Sequence, residues 1–211
     1  MTKYIHILLF IYILHWSAEG QVLHYDVVRG GKTIGTVDVI RTFENGIEIY
    51  SLNNTVEFKV LFTFTVKYVL KESFSEGMLI SGEGFNTLNG STQKETSIQY
   101  KNGKYKLLID GIEGYVESGD TIKYAAAQVY HIEPKGNQRM YSQYFGRYLE
   151  FKKIGDHKYS LVSPDGENIY EYENGFCTKV SVSRDYASFS IVMQPETLAD
   201  VKKRKSQLKN D

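Results

Sequence analysis

Val56-Glu57-Phe58-Lys59-Val60-Leu61-Phe62-Thr63-Phe64-Thr65-Val66-Lys67-Tyr68-Val69-Leu70 sets eight apolar residues, Val56, Phe58, Val60, Phe62, Phe64, Val66, Tyr68 and Leu70, at every second position. Glu57, Lys59, Thr63, Thr65, Lys67 and the following Lys71 fall on the other side. A period of two is the pleat of a β-strand, whose successive side chains point to opposite faces. Run straight, the segment would extend roughly 50 Å at ~3.3 Å per residue, more than twice an ordinary strand of ~17–20 Å. It must therefore bend, bulge or break, and Val60 to Phe62 is the expected place. Long, curved strands belong to barrels and half-barrels, in which a twisted sheet wraps one face around a core or cavity.

The alternation recurs on both sides of this stretch. Leu23, Tyr25 and Val27 oppose His24 and Asp26, and Phe176, Val180 and Val182 oppose Cys177, Lys179, Ser181 and Ser183. Between such runs stand Asn45-Gly46, Asn89-Gly90, Asn102-Gly103, Asn174-Gly175, Asp110-Gly111 and Asp165-Gly166, pairs that tolerate the positive φ angles of tight hairpins. Gly30-Gly31, Glu76-Gly77, Gly155-Asp156 and Arg184-Asp185 are weaker turn candidates. The expected fold is mainly β: a single antiparallel meander over residues 21–194, forming a strongly curved sheet, half-barrel or open barrel. Two places break the pattern. Asp120 is placed to cap a short helix near 121–127, where Ala125-Ala126-Ala127 favours helix before Glu133-Pro134. Pro195 is placed to open a basic C-terminal helix or tail over 195–211, with Leu198 and Val201 on one side. Its run Lys202-Lys203-Arg204-Lys205 reads as a solvated end, or as a contact for anionic lipid or an acidic partner.

Composition agrees with a globular β-protein. Of 211 residues, 42% are hydrophobic and 24% charged, which excludes a disordered chain, and three prolines exclude a collagen-like repeat. Twenty-five basic residues balance twenty-five acidic ones, which argues against nucleic-acid binding, where a basic excess is usual. Seventeen tyrosines suit pleated, half-wet surfaces on which rings pack and hydroxyls stay hydrated.

The first twenty residues read as a secretory signal peptide. Lys3 supplies a positive start, Tyr4 to Trp16 is apolar but for His6 and His15, and Ala18-Glu19-Gly20 offers small residues for cleavage before Gln21. About 13 apolar residues span only ~20 Å as a helix, too short for a membrane core of roughly 30 Å. Cleavage removes one charge of each sign, Lys3 and Glu19, and the only tryptophan. The expected product is exported, periplasmic or extracellular, without a transmembrane helix. Its lone Cys177 is far from the cleavage point, so it is no lipid-anchor cysteine and has no disulfide partner.

Chemical motifs are sparse. The zinc signature His-Glu-x-x-His, the nucleophile elbow Gly-x-Ser-x-Gly, the Walker loop and Cys-x-x-Cys are absent from the sequence, so no catalytic residue, metal ligand or cofactor is assigned. Gly30-Gly31-Lys32-Thr33-Ile34-Gly35 looks like a phosphate cradle but lies between alternating strands, which makes it a hairpin. His24, His131 and His157 are too scattered for a metal site, and His24 reads as a polar-face strand residue. Asp110, Glu113, Glu117 and Asp120 form an acidic stretch without calcium-loop spacing. Cys177 reads as a small strand residue.

Five motifs together carry a resemblance. Gly31-Lys32-x-Ile34-Gly35-Thr36, Phe74-x-x-Gly77-x-Leu79, Leu88-Asn89-Gly90, Val129-Tyr130-x-x-Glu133-Pro134 and Tyr170-x-Tyr172-x-Asn174-Gly175 occur in an order that resembles a family of secreted bacterial proteins catalogued only as a domain of unknown function. The similarity runs from about Tyr25 to Val192 and transfers no activity. More remotely, a β-meander behind a signal peptide is similar to the open barrels of periplasmic lipoprotein carriers, which hold acyl chains against a concave apolar sheet, a likeness of fold only. Two functions are therefore expected for a protein without enzymatic chemistry. One is binding of a lipid or other hydrophobic ligand on the concave face, by Phe58, Phe62, Phe64, Val66 and Tyr68. The other is an interaction or assembly module that binds an envelope protein through its Tyr-rich outer face or an unpaired edge strand.

Overall fold

The computed structural model describes residues 20–59, 62–116, 121–184 and 187–208. Tight turns divide the first half into β1 (Gln21–Arg29), β2 (Lys32–Glu44), β3 (Ile47–Lys59), β4 (Thr63–Ser75), β5 (Met78–Leu88), β6 (Ser91–Lys101), β7 (Lys104–Ile109) and β8 (Ile112–Tyr115). The second half supplies β9 (Arg139–Ser142), β10 (Arg147–Gly155), β11 (Lys158–Ser163), β12 (Gly166–Glu173), β13 (Phe176–Arg184) and β14 (Ala187–Met193), followed by helix α1 (Pro195–Leu208). All six Asn-Gly and Asp-Gly pairs join consecutive strands. At Asn45-Gly46 both residues lie in the left-handed region, φ 51° and 80°, as a two-residue hairpin that follows the strand twist requires. Gly30-Gly31 is likewise a turn, between β1 and β2.

The stretch from Val56 to Leu70 breaks where its length demanded, and the break is a full reversal. Phe58 stands opposite Phe64 and Val56 opposite Val66 across the β3–β4 hairpin. One alternating run thus covers two neighbouring strands, while Val60 and Leu61 lie outside the described residues. The expected signal segment also lies outside them, apart from Gly20, and β1 begins at Gln21.

The strands form one open antiparallel sheet in the order β8-β7-β6-β5-β4-β3-β2-β1-β14-β13-β12-β11-β10-β9. It consists of two meanders, or arms, joined where the first strand pairs with the last, Tyr25 opposite Met193 and Val27 opposite Ile191. That join puts β8 at one edge and β9 at the other, so the connection over 116–138 must travel from edge to edge. Its described stretch over 122–130 runs through the interior. Ile122, Tyr124, Ala125, Ala127, Val129 and Tyr130 are all buried. The Leu79 amide donates to the Ile122 carbonyl at 2.8 Å and the Tyr141 amide to the Tyr124 carbonyl at 2.9 Å, tying the segment to both arms. The arms also meet directly, since an added Cβ at Gly146, in the β9–β10 turn, would come within 3.0 Å of the Leu107 side chain on β7.

Three expectations change in detail. The short helix is a 3₁₀ helix at Ala126–Tyr130, displaced from 121–127 because Ile122 and Tyr124 give their carbonyls to strand residues, and tertiary pairing outweighs the helix preference of the alanines. Cys177 faces the core rather than sharing a side with Lys179, because a register shift opposite Glu171 and Tyr172 leaves an extra residue, Thr178, in β13. The tyrosines are not chiefly on wet faces: of the fourteen among the described residues, nine are buried. Their hydroxyls donate to carbonyls at irregular places, Tyr172 to Val129 at 2.9 Å, Tyr124 to Ile132 at 2.7 Å, Tyr105 to Leu79 at 2.8 Å and Tyr25 to Cys177 at 2.8 Å. A ring that fills the core and satisfies a backbone oxygen is what a buried non-repetitive segment needs.

Helix α1 folds back on the join. The Gln194 amide donates to the His24 carbonyl at 2.9 Å, its side chain donates to Asp26 at 2.9 Å, and Val201 is buried. Lys202 reaches Glu173 at 3.6 Å, so this part of the basic run meets an acid of the same chain.

Candidate functional site

Because the crossing segment occupies the interior, the concave face is mostly packed core. What remains open is a crevice of about 300 Å³ between the arms. Its first wall is the inward face of β3, β4 and β5, which strand register orders into levels. Leu52, Leu70 and Gly84 form one level, and Asn54, Tyr68 and Asn86 the next, with Val56 and Val66 beyond. Ala126, Val129 and Tyr130 of the crossing segment also line the crevice. The opposite wall combines Met140, Leu149, Leu161 and Tyr170 with the polar Ser142, Ser163, Asp165, Asn168 and Arg184.

The polar level is unusual in its hydrogen bonding. The Oδ1 atoms of Asn54 and Asn86 are shielded from solvent and have no partner. A buried polar atom left unpaired costs about 1–3 kcal/mol, so two facing one crevice mark a place where a ligand atom gains by binding. Lys94 of β6 continues the row, opposite Asn86. Its ammonium lies 4.2 Å from the centre of the Tyr144 ring, and that ring meets Tyr68 edge-on at 5.9 Å. On the far wall Arg184 is held by Asn168 Oδ1 at 2.9 Å and the Ser183 carbonyl at 2.8 Å.

Deeper on the same inward face of β4 lies Glu72, 1% exposed. Its Oε2 accepts from the Ala127 amide at 2.8 Å while Oε1 has no partner. Burial pushes its carboxyl up to about 8, against the smaller downward pull of the Ala127 and Ala126 amides. His131 is also buried, both ring nitrogens unpaired, with its ring 5.5 Å from that of Tyr50. Burial, helped by Arg41, lowers it to about 3 and keeps it neutral. Burial likewise raises the Cys177 thiol well above its ordinary value, which leaves it protonated.

Of the five residues expected to contact a ligand, Val66 and Tyr68 line the crevice. Phe58 and Phe64 are half-buried on the same face and stack at 5.4 Å, nearer the hairpin end and outside the lining. Phe62, at that end, is 74% exposed. Sequence reading missed Asn54, Asn86, Lys94 and Glu72. The available signal was a polar residue at an inward position of an alternating run, as Glu72 is between Leu70 and Phe74.

Other features are accounted for without a ligand. His24 faces out and meets Asp38 across the strand pair at 2.6 Å, and His157 meets Glu133 at 2.9 Å. Asp110 accepts from the Glu95 amide and Glu113 pairs with Lys106 at 2.7 Å; Glu117 and Asp120 lie outside the described residues. A wider depression of about 530 Å³, reached by Arg29, Glu167, Lys179 and the serines of β13 and β14, lies on the outer face. It is a solvated sheet surface, and the crevice, with apolar walls and orphaned polar atoms, is the better candidate.

The family described as Domain of unknown function (DUF6134) matches residues 25–194. The chain belongs to this family. The matched range takes in the paired residues of the central join, the crossing segment and every residue lining the crevice, and leaves the start of β1 and α1 outside. No curated protein and no solved structure matches the chain, so the remote likeness to lipoprotein-carrier barrels has no match behind it.

Proposed function

We propose that the chain is an exported, non-enzymatic protein of the bacterial envelope that binds a lipid or other hydrophobic ligand on the concave face of its curved sheet. The supporting observation is the crevice between the arms, where apolar side chains from both walls face each other and the amide oxygens of Asn54 and Asn86 lack partners. Export rests on the signal-like first twenty residues. No helix among the described residues is long and apolar enough to cross a membrane. Native mass spectrometry of the protein purified from the envelope fraction tests both parts. The expected species begins at Gln21 and carries a small apolar adduct, which Val66→Trp, placed to fill the crevice, abolishes without lowering the melting temperature. A protein retaining residues 1–20, or one repeatedly recovered empty and unable to take up added lipid, overturns the corresponding part.

A second reading has its own observation. Among the described residues edge strand β8 pairs only with β7, and it exposes Ile112 (75%) and Tyr115 (63%), a short edge able to accept another chain's strand. On that reading Ile112→Lys removes an envelope partner recovered by crosslinking with the wild-type protein; an unchanged crosslinking pattern overturns it.

A further inference from the structure

The crevice is polar at one level and apolar at its neighbours, and that layering selects among hydrophobic ligands. At about 300 Å³ it stands at the bottom of the range of ~300–1,000 Å³ for small-molecule sites, which suits one alkyl chain and excludes a lipid with several. Leu52 and Leu70 on one wall and Leu149 and Leu161 on the other supply the surface for that chain. One level away, Asn54 and Asn86 present amides whose oxygen and nitrogen ends exchange by a half-turn, so each can aim N–H donors into the space. Lys94 ends the same row just outside the crevice lining, half-buried, and among the described residues its ammonium rests on the ring of Tyr144, which lines the crevice, with no carboxylate in salt-bridge range.

We propose that the crevice takes a single-chain anionic amphiphile, its alkyl chain between the leucines of the two walls and its anionic head against Asn54, Asn86 and Lys94. This deepens the reading of concave-face ligand binding and rests on it. Charge around the crevice favours an anion: Lys94 at the end of the polar row and Arg184 in the lining stand against the single carboxylate of the lining, Asp165. Glu72, deeper on the same face, retains its proton through burial and sets little opposing charge near neutrality. Charge-assisted hydrogen bonds from amides and an ammonium are stronger than neutral ones, and weakly hydrated walls strengthen them further.

Isothermal titration of the purified protein with dodecanoate, dodecanol and dodecyltrimethylammonium tests this. Dodecanoate is expected to bind saturably at one site and dodecanol about tenfold more weakly, the loss of one or two charge-assisted contacts. Lys94→Gln should bring dodecanoate down to the affinity of dodecanol while leaving dodecanol unchanged, and Lys94→Arg should restore most of the difference. Asn54→Leu with Asn86→Leu should weaken dodecanoate and tighten dodecanol. Equal affinities for the three head groups overturn the anionic head and leave concave-face binding standing. An unchanged dodecanoate affinity in Lys94→Gln overturns the placement of the head, and failure of all three amphiphiles to bind overturns the underlying reading as well.

Discussion

At Glu72 the pleat of β4 puts a carboxyl where its neighbours on the same face are Leu70 and Phe74, and its Oε2 holds the Ala127 amide of the crossing segment at 2.8 Å. The folded protein keeps this proton up to about pH 8, whereas an unfolded chain releases it near the ordinary value of 4.5. Between these values the folded state binds more protons, so Glu72's contribution to stability is fully present below about 4.5 and is lost as pH rises through 8. His131 slopes the other way. Its folded value of about 3 lies below the ordinary 6.5, so its contribution is present above 6.5 and is lost as pH falls towards 3. The two slopes cancel between about 4.5 and 6.5, where the pair binds one proton in either state. Urea denaturation at pH 6 and pH 8.5 should therefore show Glu72→Gln, which keeps an acceptor for Ala127, gaining on the wild type at the higher pH by a few kcal/mol at most, at ~1.4 kcal/mol per pH unit. A difference that does not grow with pH would show that Glu72 is ionised in the folded protein.

Elements depend on such residues through the places where two of them touch. On β5, Gly82 and Gly84 leave room for Gln143, which enters from the β9–β10 turn; a Cβ at Gly82 would lie 2.2 Å from Gln143 Oε1 and one at Gly84 3.0 Å from its Nε2. Gly82→Ala should destabilise by about 1–3 kcal/mol, the range for overpacking, and Gln143→Ala in the same chain should recover part of that loss. Strictly additive losses in thermal melts of the two single variants and the double variant would refute the contact. The hairpins were readable because Asn-Gly and Asp-Gly encode their geometry locally, and β1, with Leu23, Tyr25 and Val27 all buried, was readable because alternation reports one buried face. The inward turn of Cys177 was not, since the register shift beside it is a relation between β12 and β13 that neither strand displays alone. The row Asn54, Tyr68, Asn86 and Lys94 escaped for the same reason: it runs across four strands and exists only once their registers are set.

For the whole molecule the decisive contact is the pairing of β1 with β14, which joins residues as far apart in sequence as Asp26 and Gln194. Each arm is a meander of neighbours that forms from local hairpins, whereas the join closes nearly the whole chain and must form against the entropy of that loop. Once made, it sits at the middle of the sheet, with β2 beyond β1, β13 beyond β14, and helix α1 bonded to His24 and Asp26. Edge strand β8 has the opposite character: among the described residues it has one neighbouring strand, and it has four residues and mostly exposed side chains. The strands that meet last in folding are thus the most enclosed in the native state. Native-state hydrogen exchange should show this inversion, with the ladder amides of β1 and β14, such as those of Tyr25, Val27 and Ile191, opening only on global unfolding, and those of β8 exchanging through local fraying. In pulse-labelled refolding the same β1 and β14 amides should gain protection after those of the β2–β3 and β12–β13 hairpins. If β1 and β14 were protected first, the join would nucleate the sheet and the arms would grow outward from it, which would refute the order argued from chain separation.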